Sequence, residues 1–255
     1  MNRNVRYYFD VITVLAQKDF KVRYRNSVLG FLWSLLNPLA YMVILWAVFS
    51  LLLRASIPNF APWLLVGLLI WRFFSIGTSQ GLMSILSNPS LVSKVYVSRY
   101  AIVLSNNLAN FFGSALEFLV MLPLLVILGI DLKAYALLLP IILVLEFLLV
   151  FGLSLSLSSL NLKYRDFYQI WDIALQLGFF LSPIVYDANA IPVRYRFLYS
   201  LNPVTRLIES TRDLLIGGQF PSQFDDAIIV LSIGVFLILG FLIFRSLERD
   251  FALEL

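Results

Sequence analysis

Few residues in this chain could do chemistry, and those few sit in apolar surroundings. Glu117, Glu146 and Asp172 fall within or beside hydrophobic runs, and Arg72 sits inside another. A charge in lipid is costly and is read first as a functional hypothesis. One chemistry open to these acids is a proton relay, with Glu117 and Glu146 facing each other across neighbouring helices. The other is an ion pair or polar contact at a helix interface. The chain has no histidine and repeats no acid along one helix, so the structural contact is the favoured reading. Cysteine is also absent, which removes disulfides, thiol nucleophiles and the common zinc and haem ligand sets. The phosphate-binding pattern GxxxxGK[ST] does not occur, so the chain is no nucleotide hydrolase by that motif. Asp166, Asp187 and Asp225-Asp226 are the only exposed acids a membrane-embedded transferase could use, and they form no paired-carboxylate motif.

Two other groups of residues carry possible function. Lys21, Arg23 and Arg25 stand immediately before Leu29-Gly30. Such a cluster sets membrane topology or binds anionic lipid. Aromatic residues are dense, with 22 Phe, 12 Tyr and 5 Trp. Rings near span ends, such as Trp33, Trp63, Trp71, Tyr164, Tyr186 and Tyr199, fit the aromatic belts of a membrane protein. Tyr41 and Trp46 fall mid-span and are not explained that way. They suit a channel lined by flat rings, on which the C–H faces of sugars stack and slide.

The elements that must position these residues are membrane helices. Hydrophobic residues make up 60% of the 255 and charged residues only 13%, against roughly a half and a quarter in soluble domains. The apolar residues come in blocks long enough to cross a hydrocarbon core of about 30 Å. The expected fold is an all-α integral membrane protein forming one compact transmembrane domain over residues 1–255. Its six transmembrane spans are predicted at 31–53, 62–83, 101–128, 136–160, 168–186 and 226–245. Pro38, Pro123, Pro140 and Pro183 lie inside or at the ends of spans, as kinks whose freed carbonyls neighbours must satisfy.

Residues 4–26 read as an amphipathic helix on the membrane surface. Val5, Tyr8, Phe9, Ile12, Leu15, Ala16 and Phe20 take one face, and Arg6, Asp10, Gln17, Lys18 and Lys21 the other. The segment 84–100 between spans two and three is too polar to span. Asn88-Pro89 starts a short helix there, and Lys94, Tyr96 and Arg99 follow. After span five, Asn202 is a helix cap and Pro203 the first helical position. Apolar residues then recur at helical spacing until Gly217-Gly218. That run reads as an external re-entrant helix with Arg206, Glu209, Arg212 and Asp213 on its wet face. Lys and Arg are about twice as numerous on the side that holds the N-terminus, which places both termini in the cytoplasm.

Four stretches together resemble the permeases of type-2 ABC polysaccharide exporters, those for O-antigen, capsule and teichoic acid. They are Lys21 to Leu39 (KVRYRNSVLGFLWSLLNPL), Asn161 to Asp166 (NLKYRD), Phe180 to Tyr186 (FLSPIVY), and Leu201-Asn202-Pro203 through Arg212-Asp213. Their order and spacing cover nearly the whole chain. The resemblance implies a homodimer in the cytoplasmic (inner) membrane, paired with two copies of an ATPase subunit that binds ATP and magnesium. This chain itself would carry no cofactor, no catalytic residue and no metal, and would bind no nucleic acid. The implied substrate is a polysaccharide on an undecaprenyl-type lipid carrier, moving through a channel between the two permeases. Leu29-Gly30 would lie near the channel entrance, with Arg23 and Arg25 suited to the carrier's pyrophosphate. Asn88, Lys94, Tyr96 and Arg99 would couple to the ATPase. Tyr41 and Trp46 would line the channel, and the Asn202–Arg212 helix would cap its far side. Two competing functions are a type-2 ABC permease for a drug or small lipophile, and a proton-coupled carrier using Glu117 and Glu146.

Overall fold

The computed structural model describes residues 3–24, 29–52, 57–94, 98–188 and 191–248, and every regular element among them is helical. Helix α1 (Arg3–Tyr24) has the expected two faces: Ala16 is buried, while Asp10, Gln17, Lys18 and Lys21 are exposed. It packs on α5 (Arg99–Ile127). A turn follows at Gly30, whose φ of 49° is left-handed and suits a residue without Cβ. Leu32 N donates to Leu29 O at 2.9 Å, which starts α2 (Leu32–Trp46), and a π-helical stretch (Ala47–Leu52) extends it.

Among the described residues five helices are long and apolar enough to cross a membrane: Leu32–Leu51, Phe60–Met83, Arg99–Ile127, Ala134–Lys163 and Asp226–Leu247. They fall within a few residues of five predicted spans. Over the remaining one, predicted at 168–186, the helix ends early. Helix α7 runs only over Phe167–Leu181, 15 residues or about 22 Å. Pro183 is the physical reason. The proline ring disfavours helical backbone at the preceding residue, and Ser182 is extended at φ −110° and ψ 148°. The chain then turns inward and buries Ile184 and Val185. The other prolines behave differently: Pro38 and Pro123 lie inside helices, and Pro140 opens the first turn of α6 (Leu139–Lys163).

Helix α3 (Phe60–Met83) is the centre of the bundle and touches α2, α5, α6, α7 and α9. Small residues let its neighbours approach, as in membrane helix packing generally. A Cβ on Gly77 would lie 2.7 Å from Val150 Cγ1, and one on Gly81 would collide with Ser154 of α6. Ser154 Oγ donates to Asn107 Oδ1 of α5 at 3.3 Å, so three helices share one polar contact. Helices α6 and α10 (Gln223–Leu247) meet through glycines: a Cβ on Gly152 would lie 2.8 Å from Leu237 N, and one on Gly240 would strike Gly152 O.

The connections at the two ends are also helical. At one end α4 (Pro89–Lys94) starts after Asn88 as predicted, and Asn88 Oδ1 accepts from Lys18 Nζ of α1 at 3.1 Å. At the other end lie α8 (Val193–Ser200) and α9 (Pro203–Arg212). Asn202 caps α9, its Oδ1 accepting from Val204 N at 3.0 Å. A π-helical stretch (Asp213–Gly217) follows, and Gly218, at φ 58°, ends it. The predicted wet face fails at one residue. Arg212 is buried at 7% exposure. Its Nε donates to Trp63 O at 3.1 Å, Nη1 to Pro183 O at 2.6 Å and Nη2 to Ile184 O at 3.4 Å. The guanidinium carbon also lies 3.2 Å from the centre of the Trp63 ring. Two carbonyls of the turn after α7 thus find a donor in this one side chain, which also bonds a carbonyl in the first turn of α3. Burial lowers the Arg212 pKa to about 9, so it remains a cation at neutral pH.

Two outcomes are expected from this packing. Gly240→Val drives a methyl group into the α6 backbone and costs about 3 kcal/mol. Gly234→Val on the same helix meets nothing within 4 Å and is near neutral. Thermal unfolding in detergent separates the two variants, and equal midpoints contradict the glycine contact. Arg212→Lys keeps the charge but loses the planar fork, and costs about 3 kcal/mol from forfeited charged hydrogen bonds. Wild-type thermal stability in that variant contradicts the clamp.

Candidate functional site

A groove of about 760 Å³ is bounded by α2, α3 and α7. Its aromatic wall includes Tyr41, Trp71, Phe179 and Phe180. Gly178 permits this wall, because a Cβ there would lie 2.8 Å from Trp71 Cη2. Trp71 meets Phe179 edge-on at 6.0 Å between ring centres. Behind them Trp171 Nε1 donates to Thr78 Oγ1 at 3.1 Å, fixing α7 against α3. The polar side carries Asn37, Ser75, Ser79, Gln80 and Gln176, with Arg72 and Asp172 as its charges. Gln176 Nε2 donates to Asp172 Oδ2 at 2.8 Å, one turn away on α7.

Arg72 is held from two sides. Its Nη1 donates to Asn37 Oδ1 at 3.1 Å, and its Nε lies 3.4 Å from Glu117 Oε2. This pair joins α2, α3 and α5 at one depth. The favoured reading of Glu117 as an ion-pair partner therefore holds. Both Glu146 oxygens are buried without a hydrogen-bond partner, so Glu146 is not bonded to Glu117 as a direct relay between them needs.

The sequence-predicted residues are scattered over three places. Tyr41 lines the groove and is 56% exposed, while Trp46 is exposed on α2 outside the groove lining. Leu29 and Gly30 form the turn below the groove. Arg23 lies in the last turn of α1, and Arg25 lies outside the described residues. Asn88 joins α1 to the start of α4, and Lys94 ends α4. Tyr96 lies outside the described residues. Arg99 is turned to the end of α10, where Nη1 donates to Glu248 O and lies 3.9 Å from Glu248 Oε1. At the opposite end Asn202 and Pro203 start α9, and Asn202 Nδ2 donates to Ser182 Oγ at 3.3 Å. Glu209 pairs with Arg206 at 2.7 Å, and Arg212 forms the buried clamp.

Sequence reasoning missed most of the groove. Trp71 read as a belt residue, and Asn37 only as part of an Asn-Pro motif. Gln176, four residues after Asp172 on one helix, was the available signal for a polar stripe on α7.

What such an arrangement offers is an open groove lined by flat rings and by hydroxyl and amide groups, bearing two charges. It suits a ligand with apolar faces and hydroxyl edges, held weakly at many points.

Comparison with known proteins agrees with this architecture. The ABC-2 type transporter family profile matches residues 10–216. The O-antigen export system permease protein RfbA of Klebsiella pneumoniae is 32% identical over 260 residues, 99% of this chain and 97% of that protein. RfbA of Myxococcus xanthus is 30% identical over 228 residues, covering 86% and 85%. The polysialic acid transport protein KpsM of Escherichia coli is 21% identical over 242 residues, covering 93% of each. On a profile match of that extent, together with near-full-length relatives, this helical chain belongs to the ABC-2 type transporter family.

Proposed function

We propose that the chain is the membrane permease of an ATP-driven exporter that moves lipid-linked polysaccharide, such as O-antigen on an undecaprenyl-type carrier, across the cytoplasmic membrane. The observation that carries this is the groove. Rings and hydrogen-bonding groups line one surface between α2, α3 and α7, in a chain whose relatives at 30–32% identity are named O-antigen export permeases. Ring stacking on sugar faces is strong enough to guide a chain and tolerant enough to let it slide.

The groove is open on the side where α2 and α7 expose Leu36, Val43, Ile44, Ile173 and Leu177. A second copy with its groove facing the first closes a conduit. In this reading α7 is the sixth membrane helix, with both termini cytoplasmic by the distribution of Lys and Arg. ATP and magnesium are bound by two copies of a separate ATPase subunit. That subunit meets the α1–α4 end, where Lys18 and Asn88 join the two surface elements. Closure of the ATPase pushes on α4, and α1 passes the motion to the Gly30 turn and α2. The carrier's pyrophosphate sits near that turn, beside the cations that end α1. Arg99, held by Glu248, joins the ATPase contact at the start of α5.

Two experiments test this. Deleting the gene in a strain without a redundant exporter traps carrier-linked glycan on the cytoplasmic face and removes it from the surface. Unchanged surface glycan contradicts polysaccharide export and moves the assignment to a small lipophile within the same family. In the reconstituted permease–ATPase complex, Lys94→Glu lowers transport severalfold while ATP hydrolysis continues and the chain still inserts. Unaltered transport in that variant contradicts coupling through α4.

A further inference from the structure

Above the Gly30 turn, α2, α3 and α5 enclose a second cavity of about 310 Å³. It differs in chemistry from the aromatic groove beside it. Asn37, Arg72, Gln80, Asn110, Ser114 and Glu117 all line it, two from α3, three from α5 and one from α2. All three helices are apolar membrane spans. A polar side chain in hydrocarbon is costly unless it finds partners. Three helices have nonetheless placed such groups around one space, with Asn110 only 2% and Ser114 only 8% exposed. At roughly 30 Å³ per water, the space holds about ten waters. That is enough for one pyranose ring with bridging water.

The charges define the ligand further. Arg72 and Glu117 lie 3.4 Å apart and neutralise each other. The cavity is left with donors and acceptors but no net charge. An anionic group entering it meets the Glu117 carboxylate, and a cationic one meets the guanidinium. A neutral polyol satisfies both kinds of group. Trp33 adds an exposed ring to the lining, a flat face for sugar C–H groups. The cavity shares Asn37, Arg72, Ile76 and Gln80 with the groove, so a ligand in one is continuous with a chain in the other.

We propose that this cavity is a binding site for one uncharged sugar unit of the cargo, held between the Gly30 turn and the groove. The site then selects neutral glycans over polyanionic ones where the chain is admitted. The proposal rests on the glycan-export reading above.

The test uses the permease–ATPase complex in lipid nanodiscs, with maltotriose as the uncharged probe and trisialic acid as the anionic one. Maltotriose quenches part of the tryptophan emission at millimolar concentration, and Trp33→Phe removes that part. Asn110→Leu, close to isosteric, and Ser114→Leu, which fills the cavity, each weaken binding by about tenfold, as expected for a lost sugar hydrogen bond. Trisialic acid produces no such quenching. Absence of quenching by maltotriose overturns the proposal. So does quenching unchanged in both leucine variants, or equal quenching by trisialic acid. Cells separate this site from the function it rests on. If Asn110→Leu leaves surface glycan intact where the deletion abolishes it, export stands and the cavity site falls. If the deletion itself leaves surface glycan intact, the export reading falls.

Discussion

The guanidinium of Arg212 is buried between two chain segments and bonds three backbone carbonyls, two of them in a turn where no helix supplies a partner. Trp63 O lies in the first turn of α3, and Pro183 O and Ile184 O lie in the turn that follows α7. Backbone acceptors left unbonded at membrane depth cost several kcal/mol each. A planar fork with five donors can reach all three carbonyls from one position, which an ammonium cannot. Gly67 leaves the room, since a Cβ there would lie 2.6 Å from Arg212 Nη2. The stacked Trp63 ring supplies a face for the cation. This single contact fixes α9 to α3, and both to the end of α7. The spacing of α7 from α3 sets the groove, so the width of the proposed conduit depends on a residue that does not line it.

Helix α3 is then a wall shared by two compartments. On one side it offers Trp71, Ser75 and Ser79 to the aromatic groove. Toward α5 it offers Phe73 to the smaller cavity, while Arg72 and Gln80 reach both. Glycines on its remaining face allow α6 close, and α6 is closed in turn by α10. The inner half of the molecule, α3, α6 and α10, packs through glycines, with backbone meeting backbone between α6 and α10. The exposed half, α2 and α7, carries the groove. That division suits the proposed permease, in which the exposed half would meet the second copy and the cargo.

Much of this was legible from residue order alone. Five spans followed from apolar run length, because lipid leaves a buried backbone almost no choice but helix. The Asn202-Pro203 start and the Gly218 stop of the external helix followed from cap chemistry that acts within four residues. What failed was set by distant contacts. The extent of α7 depended on Pro183 ending a helix whose hydrophobicity continues past it. Arg212 read as a wet residue because its helical spacing matched Glu209, and nothing local shows that its acceptors lie far back in sequence. The tie between Arg99 and Glu248 was likewise invisible locally, since Glu248 lies at the other end of the chain. The groove was only partly legible at Tyr41, since its other ring wall requires Gly178 to bring α7 onto Trp71.

The central claim is that glycan travels along the α2–α3–α7 surface. A photo-reactive phenylalanine analogue placed at Tyr41, at Phe180, or at Leu231 on the exposed face of α10 tests it during active export. The account predicts glycan cross-linked to the first two positions and none to the third. Cross-links at Leu231 with none at Tyr41 or Phe180 would contradict it.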